Sequence, residues 1–378
     1  MTENRVKYIW QNKNWTKFSW DSGRLLSLLG KARKVQGRVL SRVKSLAVTL
    51  TSEAQAEILI EEAVKTSAIE GEVLNRDSVR SSVDRHLGLS HAGLSKAERH
   101  IDGLVEILLD ATRHYDQPLK AQRLKAWQAA LFPTGYSGLF KVRAGQWRSG
   151  DVQVVSGPVG REKVHFQAPP ASAIDEEIRG FLHWWEKDSA DVEGFLRAGI
   201  AHFWFVTIHP FDDGNGRVTR ALTDMALAQD ELLPMRFYSL SSQIMEERNG
   251  YYDVLEKSSK GSGDISLWLE WFLGCLTRAM ERSEVTIARV LAKAEFWQIH
   301  SQTGMNERQR KIVNRLLDAG EGRFQGGLTT RKYVSLAKTS RATAFREIAD
   351  LVDKKVLVRR AEGQGRSVSY ELNWWAIA

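Results

Sequence analysis

One cysteine, Cys275, is all that 378 residues contain. A single thiol excludes an intramolecular disulfide and any cysteine-built zinc centre. Within LWLEWFLGCL it reads as a small buried hydrophobe. No run approaches ~18 uncharged apolar residues, so no membrane span is expected. The opening MTENRVKYIWQNKNW lacks an apolar stretch of signal-peptide length. Internal repeats and low-complexity tracts are absent too. These absences leave a soluble protein in a reducing, cytoplasmic setting as the expectation.

What the chain does hold is enough apolar material for a core, at 43% of residues, and a length that suits two or three domains. Its net charge of +8 is unevenly spread. From Met305 to Ala378 there are 15 Lys plus Arg against 8 Asp plus Glu, so nearly the whole excess sits in the last fifth. A basic module on a near-neutral body points to a polyanionic partner for that module, or to a solvated basic surface.

Apolar spacing along the body is helical. It predicts helices within 21–50, over 52–69 ending at Gly71, and through LSKAERHIDGLVEILLDATRHY. Residues 147–167, with VQVV and KVHF flanking SGPVGRE, predict a β-hairpin. Helix returns at Ala173 and dominates through about Lys293. Trp10, Trp15 and Trp20 mark an aromatic-anchored opening segment. After Met305, a helix, a helix pair split at Thr339–Ser340, and two short strands give the layout of a winged helix-turn-helix. The expected fold class is mainly α. Three regions are expected: 1–94 N-terminal and helical, 95–293 the core, and 294–378 the basic module.

The most informative stretch is HPFDDGNGR, residues 209–217, a polar turn between two apolar helices. Gly214 and Gly216 permit close backbone approach. The following helix aims its unpaired N–H groups and positive dipole end into the turn, an arrangement that binds phosphate. Arg217 and Arg220 share a face near that helix start, where a cation is unfavourable unless an anion is nearby. Asp213 is a hard oxygen ligand suited to Mg²⁺. Phe211 is expected to pack inward. His209 is the nearby group that titrates close to neutrality, so it could accept a proton. On spacing alone, a structural loop with a buried histidine stands beside the phosphate reading.

HPFDDGNGRVTR resembles the Fic signature, His-x-Phe-x-Asp/Glu-Gly-Asn-Gly-Arg-x-x-Arg, at every defined position. The resemblance implies a Fic-type helical bundle with an inserted β-hairpin flap. It implies an adenylyltransferase that moves AMP from ATP to Ser, Thr or Tyr hydroxyls of proteins, itself included. In that light His209 is the general base and Asp213 holds Mg²⁺. The Gly214–Asn215–Gly216 backbone and the Asn215 side chain cradle phosphate. Arg217 and Arg220 bind the outer phosphates. Tyr251 and Tyr252 are placed like residues that flank adenine in relatives, or are simply core tyrosines. The hairpin at 147–167 would align a target protein as an added strand. A homodimer is common in the family.

KTSAIEGE, residues 65–72, contains Thr66, Glu70 and Gly71 in the inhibitory pattern Ser/Thr-x-x-x-Glu-Gly/Asn of Fic proteins, within the expected helix 52–71. That similarity implies a bidentate contact of Glu70 with Arg220, removing the cation meant for the γ-phosphate. In the basic module, residues 340–355 form the candidate recognition helix. Ser340 is its expected N-cap. Ala344, Phe345, Ile348, Leu351 and Val352 form its expected inward face. Arg341, Thr343 and Arg346 would meet DNA bases, and Arg359, Arg360 and Arg366 phosphates. A protein-interaction module is the alternative. Three rival functions remain: a nucleotide-sensing transcription regulator, a Fic enzyme moving another phosphate-linked group, and one that removes AMP.

Overall fold

The structure is a computed structural model, which describes residues 8–44, 48–89, 98–156, 163–320, 324–360 and 368–373. Two compact units make up the chain: Met1–Leu46 with Thr51–Glu284, and Ala47–Leu50 with Val285–Ala378. The described residues are mainly helical. In chain order they form α1 (Ser22–Lys44), α2 (Val48–Ile69), α3 (Arg76–Leu87), α4 (Arg99–Arg113) and α5 (Ala121–Leu131). Four short strands follow: β1 (Tyr136–Ser137), β2 (Phe140–Lys141), β3 (Gln153–Ser156) and β4 (Lys163–Gln167). Then come α6 (Ile174–His183), α7 (Gly194–Ile208), α8 (Asn215–Glu231), α9 (Leu240–Glu246), α10 (Arg248–Ser258) and α11 (Ser266–Ile299). The chain closes with α12 (Glu307–Ala319), α13 (Thr330–Ala337), α14 (Arg341–Asp353), β5 (Leu357–Arg359) and β6 (Tyr370–Leu372). No described helix is long and apolar enough to cross a membrane.

The first unit is built around α7 and α8. Twelve of the fifteen residues of α7 and thirteen of the seventeen of α8 are buried, so both are covered on every side. The turn that joins them therefore hangs between two immobilised helices. Gly199 lets α11 approach α7 closely: a Cβ there would lie 2.9 Å from a Leu269 methyl carbon. A half-buried charge cluster fastens α1 to both central helices, with Arg33 pairing Glu193 and Asp230.

The Trp-rich opening segment has a definite task. Ile9 N–H donates to Ser259 O at 2.6 Å, at the end of α10, and Trp10 Nε1 donates to Gln167 O at 2.7 Å. Tyr8 packs with Phe166 beneath the hairpin. Farther on, Trp15 and Phe18 meet Trp204 edge-on. The segment thus ties β4 to the helical body. β3 and β4 pair antiparallel, with a register shift between Val154 and Val155. The apex of the expected hairpin, 157–162, lies outside the described residues. The two-residue strands β1 and β2 were not expected; they are too short to show a period of two.

In the second unit, α12, α13 and α14 enclose a core that includes Ile312, Leu316, Tyr333, Ile348 and Leu351. β5 pairs antiparallel with β6, and Leu328 bridges to Tyr370. Ser340 caps α14 as expected, its Oγ accepting Thr343 N–H. One expectation fails. Phe345 is 65% exposed and does not join Ala344, Ile348 and Leu351 inside. At one residue past Ala344, it stands ~100° around the helix, beyond the edge of the buried stripe.

Glycines give a test of this packing. A Cβ on Gly103 of α4 would lie 2.0 Å from Ala130 O, a backbone atom that cannot step aside, whereas one on Gly180 of α6 meets nothing within 4 Å. Overpacking costs about 1–3 kcal/mol and Gly-to-Ala in a helix returns about 1. Thermal unfolding should show Gly103→Ala destabilised and Gly180→Ala unchanged or stabilised by up to ~1 kcal/mol.

Candidate functional site

The residues of the 209–217 turn are placed by their neighbours. His209 ends α7 in the left-handed region, φ 52°, and its N–H closes the helix on Phe205 O. Its Nδ1 lies 3.2 Å from Val206 O, which directs Nε2 outward. Burial lowers the His209 pKa from its ordinary value, and the Arg148 guanidinium adds to that; Glu70 and Asp213 act the other way. The imidazole is therefore neutral, the form that accepts a proton. Phe211 is fully buried, as expected, against Trp147.

Asn215 has a different task from the one its place in the motif suggests. Its Oδ1 accepts Phe211 N–H at 2.9 Å, and its Nδ2 donates to Phe211 O at 2.8 Å. The structure thus places the side-chain amide on the loop backbone, where it braces the turn. Gly214, φ 86°, begins α8, and a Cβ there would crowd Leu131 and Phe132. The turn is braced again by Gln128, which donates to Asp213 O and accepts Gly145 N–H.

The two arginines are both buried, and both meet α2 or the chain just after it. Arg220 is 2% exposed. Its Nε donates to Thr66 Oγ1 at 2.6 Å, and its Nη2 to Thr66 O at 2.9 Å and Glu70 Oε1 at 2.7 Å. The expected two-pronged carboxylate contact is therefore single, because Thr66 takes the other side of the fork. Burial opposes the Arg220 charge, yet Glu70 and the neighbouring tyrosines raise its pKa above the ordinary value. Glu70 also lies across the start of α8: a Cβ on Gly216 would fall 2.0 Å from Glu70 Oε1 and 3.0 Å from Arg220 Nη1. That Nη1 is buried and has no hydrogen-bond partner; nor has Arg217 Nε.

Glu72 was missed by the sequence reading. Its Oε2 accepts Arg217 Nη1 at 3.0 Å. Gly71, φ 87°, reverses the chain after α2 and lets Glu70 and Glu72 reach two different arginines. The helix that leads into Glu70 is held from several sides. Glu62, 5% exposed, accepts Ser239 Oγ at 2.7 Å and both the N–H and the hydroxyl of Ser241. Arg248 Nε donates to Ile69 O at 2.9 Å, capping the far end.

Arg148 is a second omission. It is 2% exposed, and its guanidinium donates to His209 O at 2.8 Å, Gly150 O at 2.8 Å and Pro169 O at 2.5 Å. One cation therefore fixes the His209 turn to both feet of the hairpin. His202 is a third. It is buried, hydrogen-bonded to Thr223 Oγ1 and Tyr251 OH at 2.9 Å each, and burial brings its pKa down to about 3. It is a neutral spacer that orients Tyr251. The signal for Glu72 was two residues from Glu70; Arg148 and His202 carried none, since their partners are backbone carbonyls or distant in sequence.

His209, Gly216, Glu70, Tyr251 and Tyr252 line one cleft of about 500 Å³, with Val154 and Phe166 of the hairpin on its opposite wall. That is the size of a small-molecule site. Tyr251 is buried, and Tyr252 is 37% exposed. Across the cleft mouth His165 of β4 meets Glu256 of α10 at 2.5 Å. Asp213 is half-exposed, its Oδ1 accepting Gly214 N–H at 2.6 Å. Among the described residues no cluster of three His, Cys, Asp or Glu could hold a metal by itself. Such a single carboxylate fits Mg²⁺, which keeps water and takes its other oxygens from substrate phosphates.

In the second unit Arg341 and Arg346 are exposed, while Thr343 is half-buried with its hydroxyl 2.9 Å from that of Ser340. Arg359 is exposed, Arg360 lies 3.5 Å from Glu371, and Arg366 lies outside the described residues. Removing the Asn215 brace provides a check on the first site. Asn215→Ala leaves two buried backbone groups of Phe211 unpaired, at about 1–3 kcal/mol each. A lowered melting temperature without nucleotide is expected; an unchanged one would return the amide to a ligand role.

Comparison with known proteins follows the same lines. Residues 118–227 match the Fic/DOC family, and residues 8–89 match a domain of unknown function (DUF4172). A probable protein adenylyltransferase of Aquifex aeolicus is 33% identical over 99 residues, 25% of this chain and 31% of that protein. The protein adenylyltransferase Fic of Nematostella vectensis is 28% identical over 144 residues, 37% of this chain and 29% of its own length. The chain thus spans less than a third of either relative. A solved Fic family protein from Desulfovibrio desulfuricans matches with a TM-score of 0.53 at 19% identity, over 94% of this chain and 97% of that one. This is a likeness of fold. The chain carries a Fic/DOC family domain.

Proposed function

We propose that the protein is an adenylyltransferase that moves AMP from ATP to a protein hydroxyl, restrained by its own α2. The observation that carries the reading is Arg220: a buried cation with an unpaired N–H beside Gly216, at the start of α8, next to the cleft that His209 faces. Such a helix start with a free guanidinium N–H is an anion site. In the reaction, neutral His209 takes the proton from the target hydroxyl. The hydroxyl oxygen forms a bond to the α-phosphorus while the bond from that phosphorus to the bridging oxygen breaks, and pyrophosphate leaves with the electron pair. The α8 N–H groups and Arg217 and Arg220 hold the phosphates, so positioning and charge compensation supply most of the effect. Mg²⁺ held by Asp213 would neutralise phosphate charge when bound. Tyr252 offers a wall for adenine. The hairpin, tied down at Trp10, Arg148 and His165, would present the target as an added strand.

Glu70 and Glu72 supply the restraint. Each occupies an arginine that would otherwise meet phosphate, and Glu70 covers Gly216 as well. Nucleotide can enter the cleft, but its phosphates are misplaced, and ~1 Å of error costs ~10²-fold in rate. The second unit is proposed to be a winged helix-turn-helix that binds DNA, supported by the exposed Arg341 and Arg346 and by an excess of seven basic over acidic residues after 304.

With labelled ATP and Mg²⁺, Glu70→Gly should raise self- and target-labelling about 10–100-fold over the parent. His209→Ala should lower it ~10²–10⁴-fold. Mass spectrometry of the product should show one added AMP; any other mass would replace the donor group in this reading. Glu72→Gln should raise labelling less than Glu70→Gly and add to it in the double variant. If the double variant matches Glu70→Gly, Glu72 is no part of the restraint. Because the His209 pKa is lowered, the base form persists as pH falls through the ordinary histidine value of about 6.5. The Glu70→Gly rate should therefore hold through that pH and fall only below it. An acid limb above 6.5 would remove His209 as the base.

A further inference from the structure

We infer that Phe345 is a specificity residue of the second unit, reading the methyl group of a thymine in the DNA major groove. This rests on the DNA reading of that unit and adds what it reads. Phe345 is 65% exposed in the middle of α14, with no aromatic or cationic contact in the described structure. Its face is Arg341, Ala342, Phe345, Arg346 and Ala349, all exposed, at spacings of three and four that make one side of a helix.

The acids of α14 are kept off that face. Glu347 is buried, where it accepts Tyr333 OH at 2.8 Å, Asn306 Nδ2 at 2.9 Å and Arg308 at 2.5 Å. Asp350 accepts Gln309 Nε2 at 2.7 Å and Lys354 Nζ at 2.6 Å. Asp353 comes only at the helix end. Neither Arg341 nor Arg346 holds an ion pair among the described residues. What remains is two cations beside one large apolar side chain, flanked by alanines that allow close approach.

That combination matches a base-pair edge better than bulk solvent. Arginines serve phosphate or guanine, but a phenyl ring has no hydrogen-bonding group and cannot read a donor or acceptor. The C5-methyl of thymine is the apolar group that the major groove displays. A Phe at the centre of the reading face therefore selects for a thymine at one position. The charge excess of the unit provides the sequence-independent attraction that brings it there.

The test uses the full chain and a library of duplexes with a randomised centre. Retained duplexes are sequenced, and the enriched duplex is remade with uracil for thymine, which deletes only the methyl. The expected result is a fixed thymine. Replacing it by uracil weakens the parent about fourfold, the worth of one buried methyl, and leaves Phe345→Ala unaffected. Arg359→Gln, at an expected phosphate contact, should instead lower affinity for all duplexes and reduce the salt slope by about one. If binding is salt-dependent but uracil has no effect, or affects the parent and Phe345→Ala alike, the thymine assignment is overturned and the DNA reading stands. Absence of any salt-dependent duplex binding overturns both. So does a self-associated form in gel filtration that Phe345→Ala dissolves with duplex binding absent, which would make this face a contact between copies.

Discussion

A guanidinium buried to 2% exposure must have its charge and its donors compensated by the protein. Removing the partner of a buried charge costs about 3–5 kcal/mol. The Arg220 guanidinium reaches Gly216 in the first turn of α8, already the positive end of a helix, so the demand is greater still. In this structure Glu70 meets it, with Thr66 taking the remaining donors on one side. The rest of the first unit can be understood as the apparatus that keeps Arg220 buried and its partner in place. α7 and α8 hold the turn between them. α2 delivers the carboxylate. The same demand would suit the proposed polyphosphate: the protein already tolerates one anion there, and exchanging it for another would leave the cation compensated.

Around that pair, the structure fixes groups through the backbone more than through side-chain pairs. Arg148 gathers carbonyls from His209, Gly150 and Pro169; Asn215 takes both main-chain groups of Phe211; Arg248 caps Ile69. Carbonyl and amide positions are set by the chain path, so such contacts locate a loop without depending on a second side chain's rotamer. The outcome is a neutral imidazole, a buried guanidinium and a cleft held in fixed relation, which would suit the proposed transfer, since that depends on alignment.

How much of this could be read from the sequence depended on locality. The turn, its two helices and the Thr66–Glu70 spacing were legible because each is set by residues within four or five positions of one another. The hairpin strands were legible as short alternating pieces. What escaped were partners brought together by the fold. Arg148 meets a carbonyl 61 positions away, and Glu62 meets Ser239 across 177. The contact of the Asn215 amide with Phe211 escaped because the motif gives residue type and spacing but not which atoms a side chain faces. Phe345 was misplaced for a related reason: an apolar residue next to a buried stripe was counted into it, although the helix turns it toward solvent.

The chain that carries Glu70 is covalently continuous with the site it covers, and the contacts of Glu62 and Arg248 hold it close to that site. Under the proposed restraint, a carboxylate held so closely would act as a competitor whose concentration is set by geometry and not by how much protein is present. Dilution would not relieve it. Any polyphosphate reaching for Arg220 contends with that fixed local excess, and its apparent affinity is its intrinsic affinity scaled by the fraction of molecules in which the carboxylate has let go.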